Sequence, residues 1–360
     1  MIYSSRLGKL LLVVLCSWTT LSKAQVTVEA HALRGFLLPH RQNMLHLPDG
    51  PANAAELRIY KRTNGEKDWH KLYNLPEVGL TIRGFDLANH ELLGYGLAFG
   101  PFFSSLILHS TRFSWNLEMA CGIGLVSKPF DLETNYKNIA IGSYGNAFIM
   151  LGQRLNYRLT DYWGIHSSLS FNHMSNAAFA IPNLGLNYPM ISIGVSRSFS
   201  PSNRIKTISK DSVASVSGYW DLALSFGIKE TYNPRDVKYP TFNLSFQRCI
   251  GLTRKSSVAP GIDVFYNAAL KPNFEISGDT VSPWQILQLG TRIGYQLNID
   301  RLIVSLSMGV YLKDYYKQDG FLYHRAGLRY YFSEHWGANL SLKTHFFKAD
   351  FFELGAAYRF

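Results

Sequence analysis

A histidine and a serine stand two positions apart, at His173 and Ser175, near the end of a run of alternating apolar residues. Residues i and i+2 of a β-strand share one face, so the two side chains are neighbours if this run is a strand. Serine is a poor nucleophile until a base removes its proton, and histidine suits that task near neutral pH. The pair is therefore a candidate nucleophile and base.

The face that carries this pair is otherwise apolar. The same face of the run bears Trp163, Ile165, Leu169 and Phe171, and the apolar face of the next run bears Pro189, Ile191, Ile193 and Val195 together with Asn187. Three polar residues thus meet at one end of a predicted hairpin, on an apolar surface. A histidine on a lipid-facing surface is costly unless it is paired or functional.

The elements that position these residues show period-two alternation, most clearly over 287–297, 301–312 and 336–346. Such alternation predicts strands with one apolar and one polar face. The runs are near the length of roughly 9–11 residues that a tilted strand needs to cross a bilayer, and longer than most strands of soluble sheets. The pattern therefore favours a transmembrane antiparallel β-barrel, in which the apolar face meets lipid and the polar face lines the lumen.

Counting back from the C-terminus predicts about fourteen strands, an even number as in bacterial barrels. They lie near 78–86, 92–100, 113–126, 143–157, 163–175, 187–199, 218–230, 240–250, 257–268, 286–297, 301–312, 321–332, 336–346 and 351–360. The N-terminal part, 25–77, has an uncertain role. Its strand-like runs at 26–37 and 56–62 allow a count of 12 to 16. A long polar connection at 200–217 does not fit the short turns expected on its side of a single barrel.

Both ends of the sequence agree with an exported barrel. Arg6 and Lys9 precede the apolar run 10–15, and the small-residue exit at Ala24 predicts a cleaved signal peptide over 1–24. Cys16 allows a lipoprotein signal, although the preceding Leu15 is bulky for one. Residues 25–360 then form one barrel. The last strand ends on Phe360, which resembles the terminal strand of bacterial outer-membrane barrels.

Composition narrows the function classes. The chain is 14% aromatic and 17% charged, which is rich in rings for a water-soluble domain. Its formal net charge of +11 suits a phosphate-rich surface such as lipopolysaccharide, but the sequence has neither a Lys/Arg-rich block nor a stacking motif that indicates nucleic acid. No His/Cys spacing indicates a metal site, and nothing calls for a cofactor.

The motif His173-x-Ser175-Asn176-Ala177, followed by Pro182-Asn183-x-Gly185, resembles the signature of the lipid A 3-O-deacylase (PagL-type) family of acyloxyacyl hydrolase-like outer-membrane barrels. The likeness extends over 113–199. It implies an outward-facing Ser/His/acid triad that cleaves an ester-linked acyl chain of lipid A. By resemblance, His173 is the base, Ser175 the nucleophile and Asn183 a contributor to the oxyanion hole.

The sequence departs from that family at the acidic residue, whose place is taken by Asn187. An amide oxygen can accept a hydrogen bond from histidine Nδ1–H and fix the tautomer, but it cannot offset imidazolium charge as a carboxylate does. Asp131 and Glu133 could substitute only if their loop folds over the site.

Two functions follow as hypotheses. The first is an esterase of the Gram-negative outer membrane, with its active-site hairpin towards the extracellular side and with lipopolysaccharide and outer-membrane lipids as its partners. The alternative is a non-catalytic pore or structural barrel. The sequence leaves the oligomeric state open.

Overall fold

The computed structural model describes residues 26–201, 218–231, 236–276, 278, 281–346 and 348–360. The predicted signal peptide and nearly all of the 200–217 connection lie outside these residues. Sixteen strands make up the described chain: β1 Val26–Gly35, β2 Ala52–Arg62, β3 Glu77–Asp86, β4 Tyr95–His109, β5 Phe113–Val126, β6 Gly145–Arg158, β7 Trp163–Ser175, β8 Leu186–Ser198, β9 Tyr219–Glu230, β10 Lys238–Thr253, β11 Ser256–Asn267, β12 Leu287–Ile299, β13 Leu302–Lys313, β14 Leu322–Tyr331, β15 Trp336–His345 and β16 Lys348–Arg359.

Helical structure in the described residues is confined to short connections. In that part of the chain, two α-helices, α1 Asp68–Leu72 and α2 Leu270–Ile276, and two 3-10 turns, Gln42–Met44 and Lys317–Asp319, lie between strands. Within the described ranges, no helix has the length and apolar character needed to cross a membrane.

The chain divides into two compact units. Within the described residues, the first comprises 26–129, 144–174 and 186–201, and the second comprises 130–143, 175–185 and the described part of 218–360. In the first unit, β1 to β8 form a closed barrel in sequence order. The closing pair is β1 with β8, antiparallel, in a register that runs from Thr27 opposite Ser198 to Gly35 opposite Met190.

In the second unit, β9 to β16 form another closed barrel. Here β16 pairs with β9, and the seam ends on Phe360, which exchanges two backbone hydrogen bonds with Trp220 at 2.9 and 3.0 Å. The aromatic C-terminus therefore helps to complete the closing seam of the second barrel.

The prediction of an all-β barrel fold is confirmed, whereas the predicted number of strands and of barrels is corrected. All fourteen predicted strands are present, and the two extra runs in 25–77 are β1 and β2, so the count is sixteen in two barrels of eight rather than about fourteen in one. Alternation identifies a strand but does not say which strand it pairs with. In the structure β8 pairs with β1 and not with β9. The paired residues Thr27 and Ser198 are 171 positions apart in the sequence. In the sequence, the polar stretch 200–217 lies between the strands of the first barrel and those of the second. It is therefore not a turn within one barrel, and its length does not have to match the short turns expected there.

Each barrel presents an apolar outer face. Side chains of alternate residues on the strands are exposed and large, among them Leu57, Ile82, Leu117, Leu169 and Ile193 in the first barrel and Leu224, Phe242, Ile293, Leu306 and Leu354 in the second. In water such a surface would be unfavourable, whereas in lipid it is the expected exterior of a barrel. The fold is therefore the all-β, antiparallel barrel of the outer-membrane type that alternation predicts.

Charged side chains fill the interior of the first barrel. Arg58 Nη1 donates to both carboxylate oxygens of Glu118 at 3.0 and 2.9 Å, while Arg154 contacts Glu29 at 2.6 Å and Glu118 at 3.0 Å. Arg58 and Arg154 are no more than 1% exposed. A buried charge is tolerated only when it is paired, so each arginine is retained by its carboxylates.

The interior of the second barrel is filled in the same manner with different partners. Asp263 contacts Arg325 at 2.7 Å and Arg292 at 2.9 Å. Lys343 contacts Asp350 at 3.0 Å and lies 4.4 Å from the centre of the Phe265 ring, an arrangement that adds a cation–π contribution.

Candidate active site

The outer row of β7 leads to the predicted histidine and serine. Burial alternates along this strand, with exposed residues from Trp163 to Phe171 on one face and buried residues from Gly164 to Asn172 on the other. His173 and Ser175 continue the row that contains Phe171, so they have the outward parity predicted for them. Unlike that row they are covered: His173 is half-buried and Ser175 is 5% exposed.

His173 and Asn187 are directly opposed in the β7–β8 ladder. The Nδ1 atom of His173 lies 2.7 Å from Oδ1 of Asn187. An amide oxygen only accepts hydrogen bonds, so Nδ1 must carry the ring proton and donate it. The unprotonated nitrogen of the neutral ring is then Nε2, the atom that a general base uses.

Asn187 makes a second side-chain hydrogen bond, on its amide side. Its Nδ2 atom lies 3.0 Å from Nδ1 of His40, in the segment that follows β1. This segment continues the β1–β8 pairing, because Leu38 N donates to Asn187 O at 2.8 Å and Phe36 N to Pro189 O at 3.4 Å. Closure of the first barrel thus places a residue from the start of the described chain beside the site.

Ser175 begins the segment Ser175–Gly185 of the second unit, which is held by its asparagines. Asn183 Oδ1 accepts from the backbone N–H of Asn176 at 3.0 Å, and Asn176 Nδ2 donates to Ser143 Oγ at 2.7 Å. Asn183 therefore fixes the turn through its side-chain oxygen.

The backbone directly after the serine is strained. Ala177 and Ala178 have φ angles of 50° and 57°, in the left-handed region that alanine rarely adopts. Such strain persists only where surrounding contacts over-determine it, and the asparagine contacts supply that constraint. The segment is a preorganised turn.

The two acidic alternatives to Asn187 behave as loop residues. Asp131 Oδ1 accepts from Thr134 N at 2.7 Å, Thr134 Oγ at 2.8 Å and Glu133 N at 3.0 Å, and these bonds lower the pKa of the Asp131 carboxyl. Glu133 is exposed. Asp131 is thus engaged in its own turn, and the residue that contacts His173 Nδ1 is Asn187.

His166 lies on the inner face of β7. It is 8% exposed, donates from Nδ1 to Asn156 Oδ1, and has Nε2 at 3.4 Å from Glu29. The charged network fills the lumen around it. His166 belongs to the structural interior and not to the outward cluster.

Sequence reasoning did not identify His40 or Ser143. His40 stands in a stretch without period-two alternation, and its approach to Asn187 depends on the β1–β8 seam. Ser143 reaches Asn176 across 33 positions of the chain. Neither residue carries a local signal, so only the tertiary structure reveals them.

Two family models match this chain. The model described as "Lipid A 3-O-deacylase (PagL)" matches residues 53–196, and the one described as "Acyloxyacyl hydrolase, C-terminal domain" matches residues 218–360. Together they cover most of the chain, and each spans most of one barrel's strands.

Comparison with solved structures returns matches of low identity and low TM-score. Neisserial surface protein A is 10% identical, with a TM-score of 0.35 over 48% of this chain and 97% of its own. A mutant of the Rh. blastica porin is 11% identical, with a TM-score of 0.19 over 93% of this chain and 100% of its own. None of the curated proteins matches the sequence.

Proposed function

The chain belongs to the lipid A 3-O-deacylase (PagL) family, and we propose that it is an outer-membrane esterase that removes an ester-linked acyl chain from lipid A by a Ser/His mechanism. The observation that carries the mechanism is the 2.7 Å contact between His173 Nδ1 and Asn187 Oδ1. It makes Nε2 the unprotonated nitrogen of the neutral ring, in a histidine that stands two positions from a serine on one strand.

The reaction begins when His173 Nε2 takes the proton of Ser175 and the serine oxygen attacks the acyl carbonyl carbon. Negative charge develops on the carbonyl oxygen, where the Asn183 Nδ2 group donates. His173 then passes its proton to the sugar oxygen, the ester C–O bond breaks, and the acyl chain remains on Ser175. A water molecule activated by the same nitrogen releases the fatty acid and restores the serine.

Asn187 acts here as the orienting member of the triad. It selects the Nδ1–H tautomer of His173, as the asparagine of Cys-His-Asn proteases does. The amide adds no charge to balance the imidazolium that forms during each proton transfer. In the proposed enzyme, Asn187 therefore orients His173 as a carboxylate would, but it stabilises the imidazolium less than a carboxylate would.

The outer wall below the dyad suits an acyl chain. Leu169 and Phe171 on β7 and Ile191 on β8 are exposed to between 42% and 64%, and Phe36 is 51% exposed beside Pro189. A lipid embedded in the same membrane leaflet can lay its chains along this surface without leaving the apolar phase. We place the hairpin on the extracellular side, where lipopolysaccharide resides.

The test is the mass spectrum of lipid A from cells with and without the protein, together with fatty-acid release from purified lipid A in detergent. The expected result is loss of one ester-linked acyl chain that depends on Ser175. Equal release by wild type and Ser175→Ala would show that another group performs the chemistry.

A pore is the competing function, and the barrel interiors argue against it. Arg58, Arg83 and Arg154 in the first barrel and Lys343 in the second are each no more than 1% exposed. An open aqueous channel would leave lumen charges accessible to water. Single-channel conductance in a planar bilayer should accordingly stay at background, and a stable conductance would favour the pore.

A further inference from the structure

We propose that His40 is a positioning residue of the active site, which fixes the orientation of the Asn187 amide and through it the tautomer of His173. This inference rests on the proposed function for its kinetic consequence. Its structural content is the continuous chain of contacts His173 Nδ1 to Asn187 Oδ1 at 2.7 Å and Asn187 Nδ2 to His40 Nδ1 at 3.0 Å.

A carboxylate and an amide differ in symmetry. Both oxygens of a carboxylate accept hydrogen bonds, so either one can orient a histidine. An asparagine has one accepting and one donating end of nearly equal size, and it can present the wrong end. Replacement of an acid by Asn187 therefore creates a requirement for something that selects between the two amide orientations.

The wrong orientation would stop the base. If Nδ2 of Asn187 faced His173, the ring would have to accept at Nδ1 and carry its proton on Nε2. A protonated Nε2 in the neutral ring cannot take the proton of Ser175. The same loss of function through a wrong tautomer is known in serine proteases whose triad aspartate is changed to asparagine.

His40 supplies the selection. With its own proton on Nε2, its Nδ1 atom accepts from the Asn187 Nδ2 group and leaves Oδ1 for His173. The backbone holds His40 in place, because Leu38 N donates to the carbonyl oxygen of Asn187 itself at 2.8 Å. The segment that carries His40 is thus bonded through its backbone to Asn187, the residue whose side chain His40 is proposed to orient.

The first experiment compares acceptors and donors at position 40 by fatty-acid release from lipid A. We expect His40→Ala to lower kcat about threefold to tenfold with KM nearly unchanged, the factor that one hydrogen bond of ordinary strength contributes. His40→Gln, whose side-chain oxygen can accept a hydrogen bond, should retain more activity than His40→Ala. His40→Lys, which can only donate one, should retain no more activity than His40→Ala. His109→Ala, at the far end of β4, is the matched histidine control.

The second experiment removes the asymmetry that His40 is proposed to resolve. In the Asn187→Asp background both oxygens accept, so adding His40→Ala should change kcat by less than about twofold. Full activity of His40→Ala with Asn187 present would overturn the proposal. So would an equal loss in both backgrounds, because that result indicates a local packing role.

A readout independent of turnover separates this inference from the esterase proposal. Nitrogen NMR of ¹⁵N-histidine-labelled protein, with His173→Gln to assign the signals, reports which ring nitrogen of His173 is protonated. We expect the Nδ1–H tautomer in the wild type and a mixture in His40→Ala. If the wild type releases no fatty acid but the tautomer shifts, the esterase proposal fails and the positioning role stands. An unchanged tautomer refutes the positioning role whatever the activity.

Discussion

The seventh strands of the two barrels, β7 and β15, end differently on their outer faces. The outer row of β7 ends on His173 and Ser175, and His173 is paired with Asn187. The outer row of β15 leads through Leu342 to Thr344, which pairs with Ala349, and then to the exposed Phe346. The second barrel is therefore closed although the outer face of β15 carries no histidine and serine pair. The second barrel therefore provides an internal comparison for the outer row of the first.

The largest expected effect comes from removing the nucleophile. Ser175→Ala should lower fatty-acid release from lipid A by about 10⁴-fold or more, because no acyl-enzyme can form. Thr344→Ala, at the corresponding end of β15, should leave the rate unchanged. Release is measured on both detergent-solubilised variants after heat modifiability shows that each barrel is folded. Loss of activity in both variants would mean that the comparison reports folding and not chemistry.

Removing the oxyanion donor should have the next largest effect. Asn183→Asp keeps an oxygen for the Asn176 N–H and replaces the donating Nδ2 group with an acceptor. We expect kcat to fall about 10²-fold to 10³-fold with KM little changed, as for loss of one oxyanion-hole donor. Steady-state kinetics on a soluble ester substrate give both constants. A rise in KM alone would assign Asn183 to substrate binding.

The two outer faces should respond alike to charge. Ile193→Arg in the first barrel and Leu224→Arg in the second place a cation where the wild-type side chains are 72% and 60% exposed. Each should lower the free energy of unfolding by about 2–4 kcal/mol if the position lies near the bilayer midplane. Denaturant unfolding in lipid vesicles measures it, with Leu132→Arg in a connecting loop as the control. A cost in one barrel alone would show that the other does not face lipid.

The smallest effect is expected at the orienting residue. Asn187→Ala should lower kcat about tenfold, since it removes one hydrogen bond to His173 and leaves the nucleophile and base in place. Asn187→Glu should retain or raise activity by supplying the charge that an amide lacks. Fatty-acid release from lipid A is compared at equal protein concentration. If Asn187→Ala is silent while Ser175→Ala is inactive, another group orients the histidine, and Glu133 is the first to test.

Much of the fold follows from local pattern. Strands β5, β7 and β15 begin at the residues where alternation predicts them, because side chains of successive residues point to opposite faces. The same rule places His173 and Ser175 on one face without any knowledge of neighbouring strands. The antiparallel contact with Asn187 also follows, since β7 and β8 are joined by a short connection and adjacent strands of a hairpin pair with each other.

The sequence by itself thus determined the strands, their faces and the dyad, all of which depend on residues close together in the chain. Only the tertiary structure shows which strands close each barrel. Backbone hydrogen bonds are the same for any pair of strands, so they do not specify the partner. That choice brings Arg154 to Glu29 across 125 positions and His40 to Asn187 across 147. Interior charge neutralisation and the contact between His40 and Asn187 both involve such pairs, which lie far apart in the sequence and meet in the barrel closed by β1 and β8.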